Sequence, residues 1–133
     1  MRFFVVGALL MIGALGAQHV WEPFLETTNS GLQVFIDRSS VGFLTEENVH
    51  MTSAWFKALR LKSNKQVWVQ LAAFDCSART MASMSFTEYD SRGKMTKNIN
   101  TPSGIVHYGL QPVVPDTVGE AMLEHACHSG NPK

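Results

Sequence analysis

Apolar and polar positions alternate with a period of two along most of the chain from residue 20 onward, and switch to helical spacing only near the end. Leu32, Val34 and Ile36 alternate with Gln33, Phe35 and Asp37, which predicts a strand with one strongly apolar face. Residues 20–28 predict an opening strand that Pro23 confines to a sheet edge, because proline cannot donate to a ladder. Asn29-Ser30-Gly31 supplies the turn between them. Arg38-Ser39-Ser40 and Gly42 then break the pattern, and Thr45-Glu46-Glu47-Asn48 is expected as a polar loop. Residues 49–61 (VHMTSAWFKALRL) read two ways: the β-branched and aromatic start favours a strand, while AWFKALRL suits a helix. A strand is preferred, since consecutive strands usually pair.

Ser63-Asn64-Lys65 turns the chain, and 66–76 predicts a strand with Val67, Val69 and Leu71 on one face and Trp68 on the other. The cleanest alternation is 79–90. It puts Thr80, Ala82, Met84, Phe86 and Glu88 on one side, with Met81, Ser83, Ser85, Thr87 and Tyr89 on the other. Asp90 to Lys94 form a hairpin loop with Gly93 available for positive φ, and 95–100 is the returning strand. Thr101-Pro102-Ser103-Gly104 ends it, 105–110 suggests a further short strand, and Pro112 and Pro115 enclose an irregular passage.

The last element differs in kind. Val118, Ala121, Met122 and Ala126 fall on one helical stripe, widened by Leu123 and Cys127. Thr117 with Glu120 fits a capping box, with Asp116 as the other candidate cap. A helix ending near His128, followed by a loose tail, is expected. The fold class is therefore α+β: an antiparallel β-sheet of five to six strands packed by one C-terminal helix.

Residues 3–17 do not belong to that pattern. FFVVGALLMIGALGA carries no charge, follows Met1-Arg2 and ends in small residues, the arrangement of a secretory signal peptide. It is short for a spanning helix, which needs about 20 apolar residues. The expected division is a signal peptide over 1–17, cleaved after Gly16 or Ala17, and one folded domain over 18–133; an uncleaved anchor is the other reading. Removal of Arg2 leaves ten basic and eleven acidic side chains, a net charge of −1 against zero for all 133 residues. That balance argues against nucleic acid as a partner, because phosphate binding needs a basic excess. With 45% hydrophobic residues the domain is expected to fold, without an integral membrane span once the signal is removed.

Export changes the meaning of the two cysteines, Cys76 and Cys127. In an oxidising compartment they favour a disulfide closing a loop of about fifty residues. Two other readings stay open: a metal site of Cys76, His125, Cys127 and His128, or two free thiols. The metal reading lacks the two tight ligand pairs usual for zinc.

Taken in order, Val34-Phe35-Ile36-Asp37-Arg38-Ser39-Ser40, then Phe74-Asp75-Cys76 with Arg79, then Tyr89-Asp90-Ser91-Arg92-Gly93-Lys94, a proline-rich passage and a helix ending in Cys127 resemble the bacterial surface-adhesin protein E family. The resemblance runs from about Trp21 to Cys127. It implies a mostly antiparallel sheet packed by a helix, with one cysteine in the central strand and one in the last helix, in support of a Cys76–Cys127 bridge. It also implies an exported protein that binds host extracellular-matrix or envelope proteins and self-associates, for example as a homodimer. Family adhesins are commonly lipid-anchored, and no cysteine closes the apolar run here. That departure favours a periplasmic or released protein, and keeps a second reading alive: a periplasmic structural or accessory subunit of an envelope assembly.

Nothing in the chain reads as an enzyme. G-x-S-x-G, S-x-x-K, P-loop, G-x-G-x-x-G and H-E-x-x-H are all absent, and the histidines are scattered. Asp37 suits a general base, but local turn hydrogen bonds with Ser39 explain it more simply. Asp75 beside Cys76 would raise a thiol pKa, the wrong direction for reactivity. No catalytic residue, metal or cofactor is expected. One cluster stands out: Lys57, Arg60, Lys62 and Lys65 lie within nine residues, a candidate site for an anionic partner. Trp21, Trp55, Trp68, Phe56 and Tyr89 supply aromatic area, most of it expected in the core.

Overall fold

A computed structural model describes residues 18–130. The signal peptide expected over 1–17 and the extreme tail lie outside them. The fold is one eight-stranded antiparallel sheet with a helix on one face. The strands are β1 (Trp21–Thr27), β2 (Leu32–Asp37), β3 (Gly42–Glu46), β4 (Val49–Arg60), β5 (Gln66–Asp75), β6 (Thr80–Tyr89), β7 (Met95–Asn100) and β8 (Gln111–Pro112), and the helix is α1 (Val118–Gly130). The main sheet order is β1-β2-β4-β5-β6-β7. β3 joins β4 beyond the end of β2, and β8 joins β6 beyond the end of β7.

The fold class is as expected, with more strands than the five to six read from the pattern. The ambiguous segment 49–61 is a strand, and twelve residues long. That length is what lets it carry two partners on one edge. β2 pairs with it from Arg60 to Phe56, and β3 from Ser53 to Val49. A 3-10 turn over Arg38–Ser40 makes the step between them. Ser40 repairs the gap in the ladder: its Oγ accepts from Trp55 N–H at 2.8 Å and donates to the Asp37 carbonyl at 2.7 Å.

Three sequence expectations give way. Gly42 begins a strand, and Thr45 and Glu46 lie within β3 instead of a loop. The turn shrinks to Glu47-Asn48, both at positive φ (49° and 67°), as a two-residue hairpin requires. Residues 105–110 are not a strand: Val106–Gly109 form a 3-10 turn. The even alternation of β6 also fails, because a bulge opposite Leu71/Ala72 leaves Met84 as the extra residue. Ala82 and Met84 consequently pack with Met51, while Phe86 emerges on the opposite face beside Trp68, ring centroids 6.3 Å apart.

The main core lies between sheet and helix. Ile36, Ala54, Phe56, Ala72 and Phe74 meet Met122, Leu123 and Ala126. Phe56 is its centre, edge-on to Phe24 and Phe74 at 6.0 and 5.8 Å. The small alanines opposite the helix leave room for its close approach. A second, smaller core covers part of the other face, where Val106 is wholly buried against Met51, Ala73 and Ala82. The rest of that face has no covering element among the described residues.

Cys76 and Cys127 form the disulfide, with Cα atoms 5.8 Å apart and 51 residues between them in sequence. It ties the last turns of α1 to the end of β5. Arg79 adds ion pairs from the same β5–β6 turn to Glu120 and Glu124 at 3.2 and 3.0 Å. At the start of α1, Thr117 Oγ1 accepts from Glu120 N–H at 3.3 Å, and the Glu120 carboxylate reaches back to Asp116 N–H at 2.8 Å.

Candidate binding site

The four cations singled out in the sequence do not form one cluster. Lys57 sits mid-strand on the uncovered face of β4, with its Nζ 4.4 Å from the Trp21 ring centroid and 5.5 Å from that of Phe35. Its charge is engaged in this aromatic niche. Strand geometry explains the separation: three residues further along a strand means about 10 Å and the opposite face.

Arg60, Lys62 and Lys65 remain together at the β4–β5 tip, and the fold adds two cations that are distant in sequence. β6 runs beside β5, so the β6–β7 tip with Arg92 and Lys94 comes to the same end of the sheet. Lys65 Nζ donates to the Ser91 carbonyl at 3.1 Å and links the tips. Arg60 N–H donates to the Lys65 carbonyl at 2.8 Å and closes its own turn. Asp90 is the only carboxylate in the two turns. Its Oδ1 accepts from Arg92 and Lys94 N–H at 2.9 and 3.0 Å, so it shapes the loop and makes no ion pair there. Between the tips runs a groove of about 230 Å³ lined by Arg60, Ser63, Lys65, Tyr89, Asp90 and Ser91.

The remaining polar clusters hold the fold together. Asp37 is fully buried, and accepts from Val20 N–H (2.9 Å), Ser39 N–H (3.0 Å), Ser39 Oγ (2.6 Å) and His19 Nδ1 (2.5 Å). Burial pushes its pKa up, but the hydrogen bonds from Ser39, Val20 and His19 outweigh that and hold it below 3.8. The expected turn bonds to Ser39 are present. The partners His19 and Val20 were not foreseen, because they belong to a segment 17 or 18 residues upstream.

Glu46 plays the same part at the other end of β3. It accepts from Gly104 N–H at 2.5 Å, and from His107 N–H and Nδ1 at 2.8 Å each. Burial raises its pKa, yet His107 and the two backbone donors leave it lowered from 4.5. This carboxylate pins the loop that carries Val106 into the second core.

The chemistry weighed for a reactive or metal-binding centre is structurally committed. Both sulfurs are in the disulfide, so Cys76 and Cys127 offer no thiolate to a metal with His125 and His128. His125 lies against the Phe24 ring, centroids 4.4 Å apart. Asp75 Oδ1 accepts from Ser77 Oγ and Ala78 N–H, both at 3.1 Å, and shapes the β5–β6 turn. A second groove beside that turn, of about 450 Å³, is lined by Phe43, His50, Thr52 and Cys76, with Phe43 69% exposed.

Residues 21–128 match the family model described as Surface-adhesin protein E. The chain belongs to the surface-adhesin protein E family. The match spans β1 to the last turns of α1, so it covers both cores, the disulfide and both basic tips. No curated protein and no solved structure gives a significant match. Among the described residues, no helix is long and apolar enough to cross a membrane.

Proposed function

We propose that this member of the surface-adhesin protein E family is an exported, non-enzymatic binding protein whose partner is a host extracellular-matrix protein or an envelope protein. The observation that carries the reading is the family match over residues 21–128. Two features support it. The disulfide suits an oxidising compartment, where such bonds persist. The strands also build a rigid surface, with Trp21, Phe35 and Lys57 on its uncovered face and cations at one end.

Protease treatment of intact cells tests the reading. Cleavage in intact cells is expected for a surface-displayed adhesin. Protection until the outer membrane is permeabilised would overturn host adhesion, and would leave the periplasmic accessory role. In parallel, immobilised residues 18–133 are expected to retain purified matrix proteins or a defined envelope component. Reduction of the disulfide is expected to abolish that retention.

A further inference from the structure

A neutral composition hides a polar distribution of charge. The two adjacent tips hold Arg60, Lys62, Lys65, Arg92 and Lys94 against Asp90 alone. The rest of the described chain holds ten carboxylates against four cations, Arg38, Lys57, Arg79 and Lys97. The cations also differ in how they are used. Of the other four, Arg38 and Arg79 are ion-paired and Lys57 lies over a tryptophan, while Lys97 is exposed on β7 and in no ion pair among the described residues. Among the described residues, no carboxylate lies within ion-pairing distance of Arg60, Lys62, Lys65, Arg92 or Lys94. All five are exposed. Five cations gathered at one end against a single carboxylate raise the local potential, at a cost in self-repulsion that a purely structural turn has no need to bear.

We propose that this end of the sheet binds a linear sulfated glycan, a ligand class that rests on the reading of the protein as an exported binding protein. The shape favours a chain over a flat anionic surface. The groove runs between the tips and is lined by Arg60 and Lys65 from one and by Asp90 from the other, while Lys62, Arg92 and Lys94 belong to the same two turns outside the lining. Tyr89 is the one aromatic residue in its wall. The Ser63 and Ser91 side chains, both of lining residues, add neutral hydroxyl partners for sugar hydroxyl groups. The two tips are joined by the Lys65–Ser91 bond, so the cations keep their spacing without a ligand. Sulfate esters remain ionised at every pH at which the protein is folded, so the attraction depends on salt and little on pH.

The test is direct binding of size-defined heparin fragments to disulfide-intact residues 18–133. Saturable binding is expected, weakening steeply with added salt, and absent with de-N,O-sulfated heparin of the same length. The double variant Lys62→Ala/Arg92→Ala changes two exposed turn side chains. It is expected to lower the log–log salt slope by about 2, near one per cation removed, and to weaken binding. Lys57→Gln, on the sheet face, is expected to leave binding unchanged. Equal binding of desulfated heparin, an unchanged slope in the double variant, or equal loss in Lys57→Gln would overturn the proposal. So would binding to phosphatidylglycerol vesicles in place of heparin, which would assign the tips to a membrane. If the double variant melts earlier than wild type, the comparison of sulfated with desulfated heparin on wild-type protein decides instead. A protein cleaved on intact cells that ignores heparin sinks this inference alone; a heparin-binding protein protected in intact cells sinks surface adhesion alone.

Discussion

At the scale of single residues, two buried carboxylates and one aromatic ring hold most of the information. Phe56 is fully buried between Phe24, Phe74 and the helix. Phe56→Ala removes a ring that neighbouring strands cannot collapse to replace, and is expected to cost about 3–5 kcal/mol in urea unfolding. Asp37 and Glu46 have pKa values held below 3.8 and 4.5. A depressed folded pKa means the unfolded chain takes up protons first on acidification. Their stabilisation is therefore complete above those values and is lost as pH falls through the lower folded ones. His125 adds the same sign of slope at higher pH. Burial against Phe24, with Arg38 and His128 nearby, lowers its pKa from 6.5, so stability declines as pH drops below 6.5. Unfolding free energy measured against pH is expected to fall in two stages, with His125→Asn removing the upper stage and Glu46→Gln flattening the lower.

At the scale of elements, the hairpin turns and the disulfide set how parts are joined. Glu47 and Asn48 both occupy the left-handed region that the tight β3–β4 turn demands. Left-handed geometry costs roughly 1 kcal/mol for a side chain such as glutamate. Glu47→Asn with Asn48→Gly is therefore expected to raise stability by about 1 kcal/mol, read as a higher urea midpoint at unchanged slope. The Cys76–Cys127 bond closes a separation of 51 residues. In the chain-entropy view that is worth about 4 kcal/mol, realised chiefly in the unfolded state. Cys76→Ser with Cys127→Ser is expected to lower stability by about 2–4 kcal/mol, and to loosen α1 before the sheet in amide hydrogen exchange.

At the scale of the whole molecule, the segment leading into β1 is part of the fold. His19 and Val20 supply two of the donors to buried Asp37, and Arg38 N–H donates to the Val20 carbonyl at 2.9 Å. A chain starting at Trp21 leaves that carboxylate short of partners, and is expected to melt several degrees below one starting at residue 18. The fold also collects cations from two turns about thirty residues apart into one end, while the sum over all 133 residues stays at zero.

Period-two alternation and a capped apolar stripe were enough to read β2, β5, β7, the hairpin loop at Gly93 and the position of α1. Each depends on local spacing. The cysteine pair and the family motifs were equally legible, since two cysteines allow one pairing. What stayed hidden needed contacts between distant residues. β3 is short and half polar, and is a strand only because β4 is long enough to pair with it beyond β2. Phe86 changes face because a bulge opposite β5 adds one residue, and nothing local to β6 announces it. The run from Lys57 to Lys65 looked like one site because sequence distance ignores the pleat. Sheet order moved Lys57 onto an aromatic niche and brought Arg92 and Lys94 to the others, since strand neighbours are chosen by the packing of the whole sheet.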